Sequence, residues 1–169
     1  MTALTLEQVK DFLRYDGAAD DAALTIMLKG GQSWIERHTN RLMAQREVSQ
    51  TLPAFALYHD LRWQPYVADS LTISYFDSSF AEQTFTDFAA FPFGEGARVI
   101  PKSAWPKGAT GVRLTYTAGY ATVDEIPEVM LHALALYVAA SDEERAEIAA
   151  GGRTALTFLL EDLHAPVLA

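Results

Sequence analysis

The chain has 169 residues, half of them hydrophobic and 21% charged, a length and balance suited to one folded domain with its own core. It carries no cysteine, which excludes disulfides and thiolate metal sites, and no apolar run reaches the roughly 20 residues of a membrane-spanning helix. A formal net charge of −9 opposes duplex binding, which depends on neutralising phosphates; it fits ordinary acidic solubility or an acidic surface along which DNA passes without sticking.

The opening Met1–Thr5 shows neither the basic stretch nor the apolar segment of a secretory signal, which fits an intracellular protein or one assembled inside a cell. Thr5-Leu6-Glu7-Gln8 is a capping-box pattern, and Leu6, Val9, Phe12 and Leu13 form one apolar stripe. The pattern predicts a short amphipathic helix that stops near Tyr15-Asp16-Gly17. Asp20 or Asp21 then caps a second helix running through Leu24, Leu28, Trp34 and Ile35 to about His38. Gly30-Gly31 inside it costs roughly 1 kcal/mol per glycine against alanine. Gly31 continues the apolar stripe, so close approach by another helix is preferred to a kink.

From Leu42 to Thr117 the signals are short and strand-like. Leu71, Ile73 and Tyr75 alternate with Thr72 and Ser74 up to Asp77-Ser78-Ser79, and Thr84–Phe88 alternates again. Phe91-Pro92-Phe93-Gly94-Glu95-Gly96 reads as a loop, Arg98–Ile100 as a short strand, and Trp105-Pro106-Lys107-Gly108 as a turn. Val112, Leu114 and Tyr116 alternate with Arg113, Thr115 and Thr117 in a half-buried strand, and Gly119 permits the turn after it.

Pro127 opens the apolar helix Val129–Val138, with Asp124, Glu125 and Glu128 placed to complement its dipole. Ser141-Asp142-Glu143-Glu144 is a second capping box, Gly151-Gly152 ends that helix, and Thr154–Leu163 forms a last turn or two. Leu156, Leu159, Leu160 and Leu163 share a face there, with Phe158 beside it; such a stripe calls for the subunit's own core or a neighbour. These elements predict an α+β, mainly helical fold of four to five helices with a small antiparallel β insertion. It is read as a single domain, 1–169, in four sections: 1–41, 42–120, 121–150 and 151–169.

The chain assembles little recognisable chemistry. His38, His59, His132 and His164 are scattered without metal-ligand spacing, and His132 reads as a hydrogen-bonded structural residue. No nucleophile elbow or phosphate loop is present, and Asp20-Asp21 is explained by capping. The reading is therefore no catalytic, metal or cofactor residues. Lys29, Arg37, Arg41 and Arg46 are the nearest thing to a basic cluster, with Arg37 and Arg41 able to share a helical face; contacts to phosphate and salt bridges between subunits both remain open. The aromatic residues Phe55, Tyr58, Trp63 and Tyr66, set between prolines, leave a small ligand-binding module or enzyme as the alternative of another class.

In order and spacing, these signals resemble the head–tail connector, or adaptor, proteins of long-tailed bacteriophages and gene transfer agents. The resemblance rests on Leu4–Arg14, Asp20–Leu24, Ile35–Arg41, Leu71–Asp77, Trp105-Pro106, Val112–Tyr120 and Ile126-Pro127 with the helix that follows. Gly30-Gly31, Asp77-Ser78-Ser79 and the end after Glu143 depart from the family pattern. The resemblance implies a non-enzymatic ring, typically of twelve copies, that sits under the portal in the particle neck, extends the DNA channel and provides a platform for the tail. A tail-completion or stopper protein of the same neck is the runner-up. Implied partners are the portal, the stopper or tail-completion protein, further copies of the chain and passing double-stranded DNA, with no membrane and with assembly in the bacterial cytoplasm. On this reading 151–169 is a docking segment using Leu156, Phe158, Leu159, Leu160 and Leu163, and Asp142, Glu143, Glu144 and Glu147 face the channel.

Overall fold

The computed structural model describes residues 3–14, 21–140, 144, 147, 150 and 154–163. The chain divides into two compact units, one of Met1–Ala44 with Tyr120–Ala165 and one built on Gln45–Gly119. The expected helix end at Tyr15–Gly17, the cap Asp20, the box at Ser141 and the Gly151-Gly152 stop lie outside the described residues.

The first unit is helical. Helix α1 (Leu6–Leu13) starts at the expected capping box: Gln8 N–H donates to Thr5 Oγ1 at 3.2 Å, and Thr5 N–H to Gln8 Oε1 at 2.8 Å. Helix α2 (Asp21–Thr39) buries Leu28, Gly31, Gln32 and Ile35 along one face. Helix α3 (Glu128–Ala139) is apolar on most sides and buries Met130, Ala133, Leu134 and Val138. The short α4 (Ala155–Leu159) is capped by Thr154, whose Oγ1 accepts from Thr157 N–H. These helices share one core, in which Ile35, Met130, Leu134 and Leu160 are fully buried. A Cβ on Gly31 would lie 2.6 Å from Tyr137 Cδ1 and 3.0 Å from Leu134 Cδ1, whereas one on Gly30 meets nothing within 4 Å. Close packing against α3 therefore accounts for Gly31.

The second unit carries two antiparallel sheets. One has the order β1-β7-β3-β4, from strands β1 (Arg46–Leu52), β7 (Thr110–Ala118), β3 (Thr72–Phe76) and β4 (Glu82–Phe85). The other has the order β2-β6-β5, from β2 (His59–Asp60), β6 (Gly96–Pro101) and β5 (Phe88–Phe93). Strand β7 buries Val112, Leu114, Tyr116 and Ala118 in strict alternation, as its sequence demands. Gly119 follows with φ 113, a conformation that glycine adopts without strain, and its N–H donates to Pro65 O at 2.8 Å.

The expectation of a mainly helical fold is wrong. Helix makes up 35% and strand 29% of the structure, so the fold is α+β with substantial sheet. The cause lies in strands with little hydrophobic alternation. Strand β1 (Arg-Glu-Val-Ser-Gln-Thr-Leu) is mostly polar yet pairs with β7 from Arg46↔Ala118 to Leu52↔Val112. Phe91-Pro92-Phe93, read as loop, ends β5, and β6 begins at Gly96. Proline is tolerated there because β5 is an edge strand, where no ladder donor is lost.

Candidate functional site

Side chains of catalytic or ligating type do not gather. Among the described residues no group of three or more His, Asp, Glu or Cys could hold a metal ion, and no helix is long and apolar enough to cross a membrane. His38 stacks on Trp34 at 4.9 Å, and His164 lies outside the described residues. His132, expected to be a hydrogen-bonded structural residue, is exposed and meets the Phe12 ring edge-on at 6.5 Å. Asp21, at the start of α2, pairs with Lys10. Arg37 and Arg41 do not share a helical face, because α2 ends at Thr39 and Asn40 turns left-handed with φ 56. Arg41 instead donates from Nε to Leu163 O at 2.9 Å and from Nη1 to the Tyr120 hydroxyl at 3.2 Å, tying down the turn after α4.

The four aromatic residues between the prolines separate into different environments. Phe55 stacks on Trp105 at 4.4 Å and 8°, with Tyr75, Phe85 and His59 around it. Tyr58 and Phe93 take Arg98 between them, its guanidinium 4.0 and 4.2 Å from their ring centroids, while Arg98 holds Asp60 through two hydrogen bonds of 2.7 and 2.9 Å. Trp63 N–H donates to the buried Tyr116 hydroxyl at 2.9 Å, and burial pushes that phenol up to about 12. Tyr66 meets the Tyr116 ring edge-on. Their placement builds the unit and does not converge on a ligand pocket.

His59 is buried, and its Nε2 accepts from Ala56 N–H at 3.1 Å, a bond only the neutral ring can make. Burial lowers its pKa below 6.5, outweighing the opposing pull of Asp60. With a folded pKa below the unfolded one, stability is fully present above pH 6.5 and falls as pH drops from there through the folded pKa. The expected result is a lower urea midpoint at pH 5.5 than at pH 7.5, with the difference reduced in His59→Gln. An unchanged difference in the variant would refute this role. At the β3–β4 turn, Asp77 is held down to about 2 by bonds from Ser79, Gln83 and Ala81, which fixes the hairpin.

The expected docking residues divide by face. Leu156 and Leu160 are 5% and 0% exposed in the helical core, and Leu159 and Leu163 pack against it. Phe158 points outward, 71% exposed. Of the acidic set, Asp142 and Glu143 lie outside the described residues, while Glu144 and Glu147 are exposed. Glu144, Glu147, Thr154, Ala155 and Leu156 join Leu136 and Ala139 of α3 and its C-cap Ala140 around an open cleft of about 480 Å³. The structure thus brings parts of the two expected sets to one place. Sequence reading missed Phe80, 82% exposed at a left-handed φ of 61 on the β3–β4 turn, and the open side of β5. A phenylalanine directly after a polar turn was the available signal for the first.

Three solved structures share this architecture over nearly the whole chain. One is a chain of the virion of a native gene transfer agent particle, with TM-score 0.72 and 23% identity, covering 99% of this chain and 92% of that one. The second belongs to the neck of an empty gene transfer agent particle computed with C6 symmetry, with TM-score 0.74 and 22% identity over 99% and 92%. The third belongs to the neck of a native particle computed with C12 symmetry, with TM-score 0.72 and 21% identity over 99% and 91%. The chain has the fold of these particle chains. No family model matches it, and no curated protein does.

Proposed function

We infer that the chain is a structural subunit of the neck of a phage-like particle, a head–tail adaptor that forms a ring under the portal, extends the DNA channel and supports the tail. The observation that carries this reading is a likeness to gene transfer agent chains spanning 99% of this chain and at least 91% of theirs. The C6 and C12 symmetries of the neck structures support a cyclic assembly of this chain. Such a ring needs heterologous contacts, in which one face of a subunit meets a different face of the next. The acidic balance suits a conduit that must not retain duplex DNA. The chain acts by assembly, not by catalysis.

On this reading the C-terminal segment docks through its outward side, Phe158, while Leu156 and Leu160 hold the segment to its own core. Asp142, Glu143, Glu144 and Glu147 line or approach the channel. Phe158→Asp is expected to cut head–tail joining at least tenfold, scored as tailless DNA-filled heads by electron microscopy. Its thermal unfolding should stay within about 0.5 kcal/mol of the parent, as for other surface changes. Leu160→Asp, by contrast, places a charge in the core and should unfold the helical unit. Normal joining by Phe158→Asp, or by a chain lacking residues 152–169, would overturn the docking assignment. A particle reconstruction tests the rest: a ring one layer below the portal-contacting one would make the chain a stopper or tail-completion protein, and Glu144 and Glu147 on the outer wall would remove them from the channel.

A further inference from the structure

Two apolar surfaces of the sheet unit are left open by its own core. The first is the turn between β3 and β4. Phe80 stands there 82% exposed at φ 61, a backbone conformation in which a bulky residue is an outlier and glycine is at ease. The turn is nevertheless fixed: Phe80 N–H donates to Asp77 O at 2.9 Å, and Asp77 Oδ1 accepts from Ser79 N–H at 2.9 Å and from Ala81 N–H at 3.1 Å. The ring is thus held out into water on a rigid support, against both its hydrophobicity and its backbone preference.

The second surface is the outward face of the β2-β6-β5 sheet. Phe91 stands opposite Arg98 and Arg98 opposite Asp60, so these three share the face turned away from buried Val99 and His59. Phe91 and Phe93, two residues apart on this face, are 51% and 40% exposed. Arg98 is clamped among them, between the Tyr58 and Phe93 rings and bonded twice to Asp60. Leu61 N–H donates to Ala97 O at 2.9 Å, which continues the pairing of β2 with β6 and puts the exposed Arg62 on the side of Asp60. Aromatic residues around a held arginine are the composition of a protein-interface centre.

We propose that the β3–β4 turn of one copy of the chain docks on this sheet face of an adjacent copy, with Phe80 set against Phe91, Phe93 and the clamped Arg98. The charges agree. Residues 77–82 carry Asp77 and Glu82 and no basic residue, whereas the face carries Arg62 and Arg98 against Asp60. Glu95 belongs to the opposite side of the sheet, where it lines a groove with Tyr66 and Leu71. Turn and face are different surfaces of the same unit, so the contact is heterologous, as successive copies in a ring require. Its place in a ring rests on the neck reading, while the contact itself does not. One anchoring phenylalanine buries far less than the roughly 800 Å² per partner of a standard interface, so isolated copies associate weakly and ring closure holds them.

The absence of cysteine makes cross-linking clean. Full-length copies carrying Ser78→Cys, on the turn beside Phe80, are mixed at high concentration with differently tagged copies carrying Ala89→Cys, on the outward face of β5, and treated with a short bismaleimide. The expected product is a covalent heterodimer at least tenfold above that formed when Ala23→Cys, at an exposed position of α2, replaces Ala89→Cys. Adding Phe80→Gly to the turn copy should cut the product at least tenfold while holding or raising the unfolding midpoint, because glycine relieves the left-handed strain. Arg62→Glu in the face copy should cut it at least threefold, with the difference shrinking at high salt. No heterodimer above the Ala23→Cys level would overturn the proposal, as would a product that survives Phe80→Gly or Arg62→Glu, or linkage confined to a single chain carrying both cysteines. A reconstruction placing the chain outside the neck would defeat the ring reading and leave the contact standing; rings in which the turn meets no neighbouring sheet face would defeat the contact alone.

Discussion

Replacing Glu36 with alanine is expected to cost the helical unit about 3 kcal/mol, because each buried donor left without its acceptor costs about 1–3 kcal/mol. Glu36 is 4% exposed, and its Oε1 accepts from Met43 N–H at 3.0 Å and from Gln32 Nε2 at 3.1 Å. Gln32, 6% exposed, in turn accepts from Ala3 N–H at 2.9 Å. One carboxylate thus ties the turn before α1 and the segment after α2 to the buried face of α2. Against a typical total stability of about 5–15 kcal/mol, such a loss displaces the urea midpoint far beyond measurement error. Glu36→Gln keeps a carbonyl oxygen at the acceptor position and should lose less than about 1 kcal/mol. Because Gln32 and Glu36 share a bond, Gln32→Ala and Glu36→Ala should combine to less than the sum of their separate effects. Equal losses for Glu36→Gln and Glu36→Ala would show that the acceptor is not what matters.

This network also marks the boundary of what the amino-acid sequence reveals. Within Ile35-Glu36-Arg37-His38 the glutamate reads as an ordinary charged residue near a helix exit. Its partners Met43 and, through Gln32, Ala3 follow from tertiary packing and leave no periodic trace. The capping box at Thr5 was legible because both of its bonds close within four residues. Strand β7 was legible because one face is buried and the other is not. Strand β1 was not, since its polar residues draw their order from the ladder with β7. The stripe Leu156, Leu159, Leu160 and Leu163 was visible as a stripe. Its burial in this chain's own core, leaving Phe158 outside, depends on where α3 lies. The open side of β5 was hidden for a related reason: a strand containing Pro92 resembles a loop until its partner β6 is known.

Two neighbouring glycines should respond in opposite directions to the same substitution. Both sit in the interior of α2, where alanine is favoured over glycine by roughly 1 kcal/mol on intrinsic helix preference. At Gly30 nothing lies within 4 Å of the added methyl group, so Gly30→Ala should stabilise the unit by up to that amount. At Gly31 the methyl group would sit 2.6 Å from Tyr137 Cδ1 and 3.1 Å from Tyr137 Cγ, with Leu134 Cδ1 at 3.0 Å. The Tyr137 ring is held against Trp34 at 6.2 Å, and Leu134 is fully buried, so neither can give way without disturbing the core. Overpacking of this kind costs about 1–3 kcal/mol, occasionally more, and at so short a contact the upper end applies. After the gain in helix preference, Gly31→Ala should lose about 2 kcal/mol, placing the two variants about 3 kcal/mol apart in denaturant unfolding. Tyr137→Ala in the Gly31→Ala background should recover part of the loss, because it removes the ring atoms that the methyl group meets. A Gly31→Ala variant as stable as Gly30→Ala would mean that α2 and α3 do not approach this closely, and would favour the alternative of a helix kink at Gly31.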